Sequence, residues 1–131
     1  MFKVMLVEDN PTFRQTVRES LQNQFPSMAI AEAGNGMEAL EKVGSFAPHL
    51  IFMDIQLPEE NGLKLTERIK KVHPEIVIAI LTNHDTPEYR EAATRCKADY
   101  FCHKISTSTA QIHELVGSVL SDKGFRQNGS G

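Results

Sequence analysis

Five short apolar runs, each followed by a stretch with helical spacing, constrain this chain more than anything else in it. They are Val4-Met5-Leu6-Val7, Met28-Ala29-Ile30-Ala31, Leu50-Ile51-Phe52-Met53, Ile76 through Leu81, and Tyr100-Phe101-Cys102. Near-continuous runs, as opposed to alternating ones, mark strands covered on both faces, as in a parallel sheet. The intervening segments place apolar residues at helical intervals: Phe13, Val17 and Leu21; Leu65, Ile69 and Val72; Ile112, Leu115, Val116, Val119 and Leu120. Strand and helix in strict alternation predict an α/β domain of (βα)5 type, doubly wound. Right-handed crossovers favour the flavodoxin-like strand order 2-1-3-4-5.

The joints carry matching chemistry. Asn10-Pro11 and Thr86-Pro87 each set a capping side chain before a proline whose missing N–H costs nothing at a first helical position. Asn61 is placed to cap the third helix and Thr107 the fifth. Pro26, Pro48 and Pro74 stop helices or lead into strands. The pattern fails near Ser121, so residues 1–121 are expected to form one domain and 122–131 a flexible tail.

Composition removes several function classes. Fourteen Lys and Arg against seventeen Asp and Glu give a net charge of −3, the wrong sign for a chain that grips nucleic acid directly. Two cysteines and five scattered histidines offer neither a disulfide framework nor zinc spacing. No apolar run is long enough for a membrane span, and the N-terminus enters a strand at once, so a cytoplasmic protein is expected.

Ligands of an open parallel sheet bind beyond the carboxyl ends of its strands. Here those ends are Glu8-Asp9, Asp54, Thr82-Asn83 and His103-Lys104. Strands one and three are neighbours in the expected order, so three carboxylates converge, faced by a hydroxyl and an ammonium. Such carboxylates repel, and one lysine cannot compensate them all. A hard divalent cation resolves the repulsion, and Mg²⁺ favours carboxylates, waters and a phosphate oxygen. A carboxylate beside Mg²⁺ is a competent nucleophile for phosphoryl groups, with Thr82 and Lys104 placed to take the remaining oxygens.

At these residues the chain resembles the receiver domain of bacterial two-component response regulators. The likeness rests on Glu8-Asp9, Asp54 with Leu57-Pro58 and Asn61-Gly62, Thr82 and Lys104. Asn35 through Leu40 and Asp54 through Pro58 are most similar to the NarL/LuxR-like subgroup. The resemblance implies Asp54 as phosphoacceptor, with Mg²⁺ on Glu8, Asp9, Asp54 and the Gln56 backbone carbonyl. It implies Thr82, Asn83, Phe101 and Lys104 as the phosphoryl-binding and switch set, with Lys104 its cation, and Gln56 and His84 as tuners of phosphoryl lifetime. The implied partners are a histidine kinase or phosphotransfer protein as donor and an output domain or effector as receiver. A phosphorylation-dependent homodimer is left open.

Three positions depart from the family pattern. Ile105 follows Lys104 where proline is frequent, Lys97 stands where glycine is usual, and Asn83 replaces a small residue and could narrow access to Asp54. Phe101, lacking a tyrosine hydroxyl, is expected to favour an inward position. The rival readings are weaker. An Mg²⁺-dependent phosphatase with an aspartyl nucleophile would carry a general acid where Gln56 stands, and a flavin carrier would need a phosphate cradle where Glu8-Asp9 repel one. A degenerate receiver acting as a binding module is disfavoured by the intact Asp54, Thr82 and Lys104. The chain is therefore expected to be a signalling phosphoacceptor, not an enzyme acting on a separate substrate.

Overall fold

A computed structural model of the chain describes residues 1–126. The strands are β1 (Lys3–Val7), β2 (Ala29–Ala33), β3 (Leu50–Met53), β4 (Gln56–Leu57), β5 (Glu60–Asn61), β6 (Val77–Thr82) and β7 (Tyr100–His103). The helices are α1 (Pro11–Gln24), α2 (Gly36–Phe46), α3 (Gly62–Val72), α4 (Pro87–Arg95) and α5 (Thr109–Asp122). The main sheet is parallel with order β2-β1-β3-β6-β7, which is the expected 2-1-3-4-5 arrangement of a doubly wound α/β domain. A two-stranded antiparallel hairpin, β4-β5, lies directly after Asp54. No helix among the described residues is long and apolar enough to cross a membrane.

The near-continuous runs are explained by two cores, one on each side of the sheet. Met5, Val7, Ile51, Met53, Ile78 and Ile80 face α2, α3 and α4, while Val4, Leu6, Leu50, Phe52, Ala79 and Leu81 face α1 and α5. Successive residues of a strand point to opposite faces, so both parities must be apolar here. Each large side chain so buried contributes about 1.5–3 kcal/mol. The second strand starts one residue later than expected. Met28 gives its N–H to the Phe25 carbonyl at 3.0 Å in the turn around Pro26, and pairing begins only at Lys3↔Ala29.

Asn10, Asn61 and Thr86 cap α1, α3 and α4 as expected, and Asn35 caps α2. The cap of α5 is Ser108, not Thr107. Ser108 takes the Gln111 N–H at 3.1 Å while the Gln111 side chain takes the Ser108 N–H at 2.8 Å, a reciprocal box that Thr107, with Ala110 three residues on, cannot close. Lys97, after α4, adopts φ 71°, the left-handed conformation that costs a side chain about 1 kcal/mol relative to glycine.

The expected tail begins too early at residue 122. Helix α5 runs through Asp122, and Phe125 packs edge-on to Phe2 and His49 at ring separations of 5.4 and 5.0 Å. Its aromatic ring finds apolar cover beneath the sheet. The part of that tail spanning 127–131 lies outside the described residues.

His49 stacks on Phe2 at 5.3 Å and accepts the Lys3 N–H on Nδ1 at 3.0 Å, a role only the neutral ring can fill. Burial, with the charges of Lys3, Lys123 and the N-terminus, holds its pKa below the ordinary 6.5. The unfolded chain therefore takes this proton first. Stability should be full above about pH 6.5 and fall as the pH drops below it, until the native ring itself titrates. Urea unfolding across this range should show that slope in the wild type and lose it in His49→Gln. An equal slope in both would assign the dependence elsewhere.

Candidate functional site

The last rungs of the sheet ladder pin the backbones of the residues that matter. Glu8 gives its N–H to the Ala33 carbonyl at 3.0 Å, Asp54 to Val7 at 3.0 Å, and Lys104 to Thr82 at 2.8 Å. These residues thus continue β1, β3 and β7 by one step each, and their side chains leave the sheet at its carboxyl edge.

Carboxylate oxygens of Glu8, Asp9 and Asp54 lie within 4.8 Å of one another. Glu8 and Asp54 are both buried at 6% exposure, and Asp9 is exposed at the mouth. The expected ammonium does face these carboxylates, and it compensates two of the three. Lys104 Nζ sits 2.7 Å from Glu8 Oε1 and 3.2 Å from Asp54 Oδ2, so a partly buried cation bridges two of them. Burial pushes the Glu8 carboxyl above its ordinary value, a shift only partly offset by Lys104 and the Asn10 N–H. Burial alone would lower Lys104, but its hydrogen bond to Glu8 and the charge of Asp54 prevail and hold it above the ordinary lysine value. Three hard oxygen donors, one open to solvent, fit Mg²⁺.

Around this centre the other expected residues fall at different distances from the chemistry. Thr82 is fully buried, and its hydroxyl oxygen accepts the His84 N–H at 3.2 Å. The His84 ring lies against Tyr89 at 5.4 Å, and Tyr89 lines an open cleft with Asp9, Gln56, Glu60 and Asn61. Gln56 is therefore at the rim of that cleft, whereas Asn83 is exposed. Phe101 is neither fully in nor out. It packs, partly buried, against the core on the α2, α3 and α4 side of the sheet while the Arg90 guanidinium, paired with Asp85, covers its ring at 4.8 Å. The inward bias expected from a missing hydroxyl is moderated by that cation, which an aromatic face attracts.

Two contributors were not foreseen. Arg14 Nη1 donates to the Glu8 carbonyl at 2.6 Å while its Nε binds Glu32 at 2.8 Å, fixing the turn from β1 into α1. Phe13 places its ring 4.6 Å from Lys104 Nζ. Both stand within one turn of the Asn10 cap, which was the only available signal.

Fold and site together define a class: a doubly wound α/β domain that gathers carboxylates and one ammonium beyond the carboxyl edge of its sheet, at the crossing point between β1 and β3. Sequence likeness narrows the class. The family model described as the response regulator receiver domain matches residues 4–117, and the chain belongs to that family. The chemotaxis protein CheY of Halobacterium salinarum is 32% identical over 119 residues, covering 91% of this chain and 97% of that one. A protein-glutamate methylesterase/protein-glutamine glutaminase of Carboxydothermus hydrogenoformans is 33% identical over 120 residues, covering 90% of this chain but 34% of its own length. The chain thus spans about a third of the curated methylesterases it matches. The crystal structure of a LuxR-family DNA-binding response regulator from Staphylococcus aureus has a TM-score of 0.83 at 25% identity, covering 91% of this chain and 98% of that one.

Proposed function

We propose that this receiver domain accepts a phosphoryl group on Asp54 and uses it to change the surface formed by α4, β7 and α5. The observation that carries this reading is the Asp54 carboxylate itself, buried within 4.8 Å of the Glu8 and Asp9 carboxylates and paired with the Lys104 ammonium that also holds Glu8. An Asp54 oxygen attacks phosphorus, the bond from phosphorus to the donor breaks, and the donor leaves with that electron pair, giving an acyl phosphate. Mg²⁺, held by Glu8, Asp9, Asp54 and the Gln56 backbone carbonyl, would supply the positive charge that offsets the incoming phosphoryl oxygens. Lys104 then exchanges its carboxylate partners for a phosphoryl oxygen. The Thr82 hydroxyl turns from the His84 N–H toward another. Movement of Thr82 frees space beside β7 for Phe101, whose Arg90 contact links the site to α4. Gln56 and His84, at the rim, set how readily water reaches the acyl phosphate.

The donor in this reading is a histidine kinase or phosphotransfer protein of the cytoplasm, and the receiver of the signal is an output domain or effector. The likeness to the Staphylococcus aureus regulator supports a place near the NarL/LuxR-like subgroup. An aspartyl phosphatase is disfavoured because Gln56, two residues after Asp54, has no titrating proton to give. The methylesterase named for some relatives is a property of proteins matched over about a third of their length.

Acetyl phosphate with Mg²⁺ should place one hydroxylamine-labile phosphoryl group on the chain, and Asp54→Asn should abolish it. Intact-mass spectrometry reads both. Undiminished labelling of Asp54→Asn would overturn the assignment.

A further inference from the structure

The ammonium of Lys104 has three N–H donors, and the two carboxylates it touches account for only part of its surface. The rest faces the ring of Phe13, 4.6 Å away, the shortest of the three cation–ring contacts among the described residues. This ring is held from several directions. The Phe13 N–H is taken by the Asn10 side chain at 3.1 Å, and the ring packs on the core beside α1 and α5. The neighbouring cation, Arg14, is tied to the Glu8 carbonyl and to Glu32, so it does not compete for the ring. The Lys104 side chain is 11% exposed, so its contact with the ring is nearly free of water. Cation–ring attraction is strongest under that condition.

We propose that Phe13 is a positioning residue for the phosphoryl-transfer site, holding Lys104 by its ring face so that the ammonium stays aimed at Asp54 once its carboxylate partners are otherwise engaged. This rests on the reading of Asp54 as phosphoacceptor. In the resting site Glu8 and Asp54 hold Lys104 whatever Phe13 does. When Glu8 turns to a cation and Asp54 carries a phosphoryl group, both of those contacts weaken, and the ring is the one that neither event removes. A flexible lysine stem left with a single phosphoryl partner would spend much of its time turned toward solvent. The ring therefore matters in the loaded site more than in the resting one.

Fluorination tests this directly, since 4-fluoro-, 3,5-difluoro- and 3,4,5-trifluorophenylalanine at position 13 drain the ring face of negative potential with little change of shape. Phosphorylation by acetyl phosphate and beryllofluoride affinity, both with Mg²⁺, should fall stepwise along the series, to about tenfold at three fluorines. Metal-free unfolding midpoints should barely move. Phe13→Tyr should behave as wild type and Phe13→Leu as the trifluoro protein. In the resting protein and in the beryllofluoride complex, the Lys104 ε-methylene protons should be shifted upfield by the ring and lose that shift in Phe13→Leu. A flat fluorine series in a protein whose wild type labels normally overturns this inference alone. Lys104 protons at unshifted positions in the beryllofluoride complex overturn it as well. A wild type that does not label overturns the phosphoacceptor reading, and this one with it.

Discussion

Gly62→Ala should destabilise this domain by about 3 kcal/mol or more and disturb Asp54 at the same time. A Cβ at this position would lie 1.9 Å from the Asp54 carbonyl oxygen, 2.8 Å from its carbonyl carbon and 2.9 Å from Ile55 Cα. All three are backbone atoms, so no rotamer change relieves the clash. The Gly62 N–H also bonds the Ile55 carbonyl at 2.7 Å, clamping the start of α3 to the segment that leaves β3. Relief requires moving either the helix or the peptide that carries the proposed phosphoacceptor. The glycine is needed for close approach and not for a left-handed turn, since Gly124 is the one glycine with positive φ among the described residues. Gly44→Ala in α2 is the matched control. Nothing lies within 4 Å of its new methyl group, and alanine should stabilise the helix there by about 0.5–1 kcal/mol. Urea unfolding of the two variants should shift in opposite directions, and an unchanged midpoint for Gly62→Ala would contradict the packing described.

Lys104→Met should be nearly as costly, and its cost should depend on what else is in solution. Removing the ammonium leaves Glu8 and Asp54 buried together with no cation between them, and breaking such a pair typically costs about 3 kcal/mol. Two additions should restore what is lost. A divalent cation should stabilise the variant more than the wild type, because it no longer competes with a resident ammonium. Acid should help too. Burial already raises the native Glu8 value above 4.5, so proton uptake there favours the folded state. That gain is complete near pH 4.5 and disappears as the pH rises through the raised native value. Thermal unfolding in chelator, in excess Mg²⁺ and at mildly acid pH separates these effects. A variant as stable as wild type in chelator at pH 7 would show that Lys104 does not carry the electrostatic load assigned to it.

The sheet order and the convergence of Glu8, Asp9 and Asp54 were legible in the sequence because they follow from apolar runs and the residues that end them. What was not legible depends on side chains meeting across long separations. The strand ends already place an ammonium facing the carboxylates, but only the register of β7 on β6 decides that Lys104 reaches between Glu8 and Asp54. Phe13 has the spacing of an ordinary core residue in α1, and nothing in that spacing distinguishes a ring under a cation from a ring under a leucine. The hairpin of β4 and β5 is too short to leave a periodic signal. Ser108 and Thr107 are equivalent as caps until Gln111 is counted from each. Phe125 stands among polar residues, and its partners Phe2 and His49 are far away in sequence.

The distribution of the site along the chain has a consequence for how the protein is made. Glu8, Asp9 and Asp54 emerge first from the ribosome, but the ammonium that tames them arrives fifty residues after Asp54, on the outermost strand of the sheet. A nascent chain that has built β1 and β3 still holds its acidic residues without a counterion, so the functional centre is completed only when β7 docks. The proposed site is thereby complete only after synthesis of the last quarter of the domain. Because β7 has a neighbour on one side only, local opening of this edge would disarm the centre while the strands beneath remain paired. A partly made or partly opened molecule in this way lacks the carboxylate and ammonium arrangement on which the proposed phosphoryl acceptance rests.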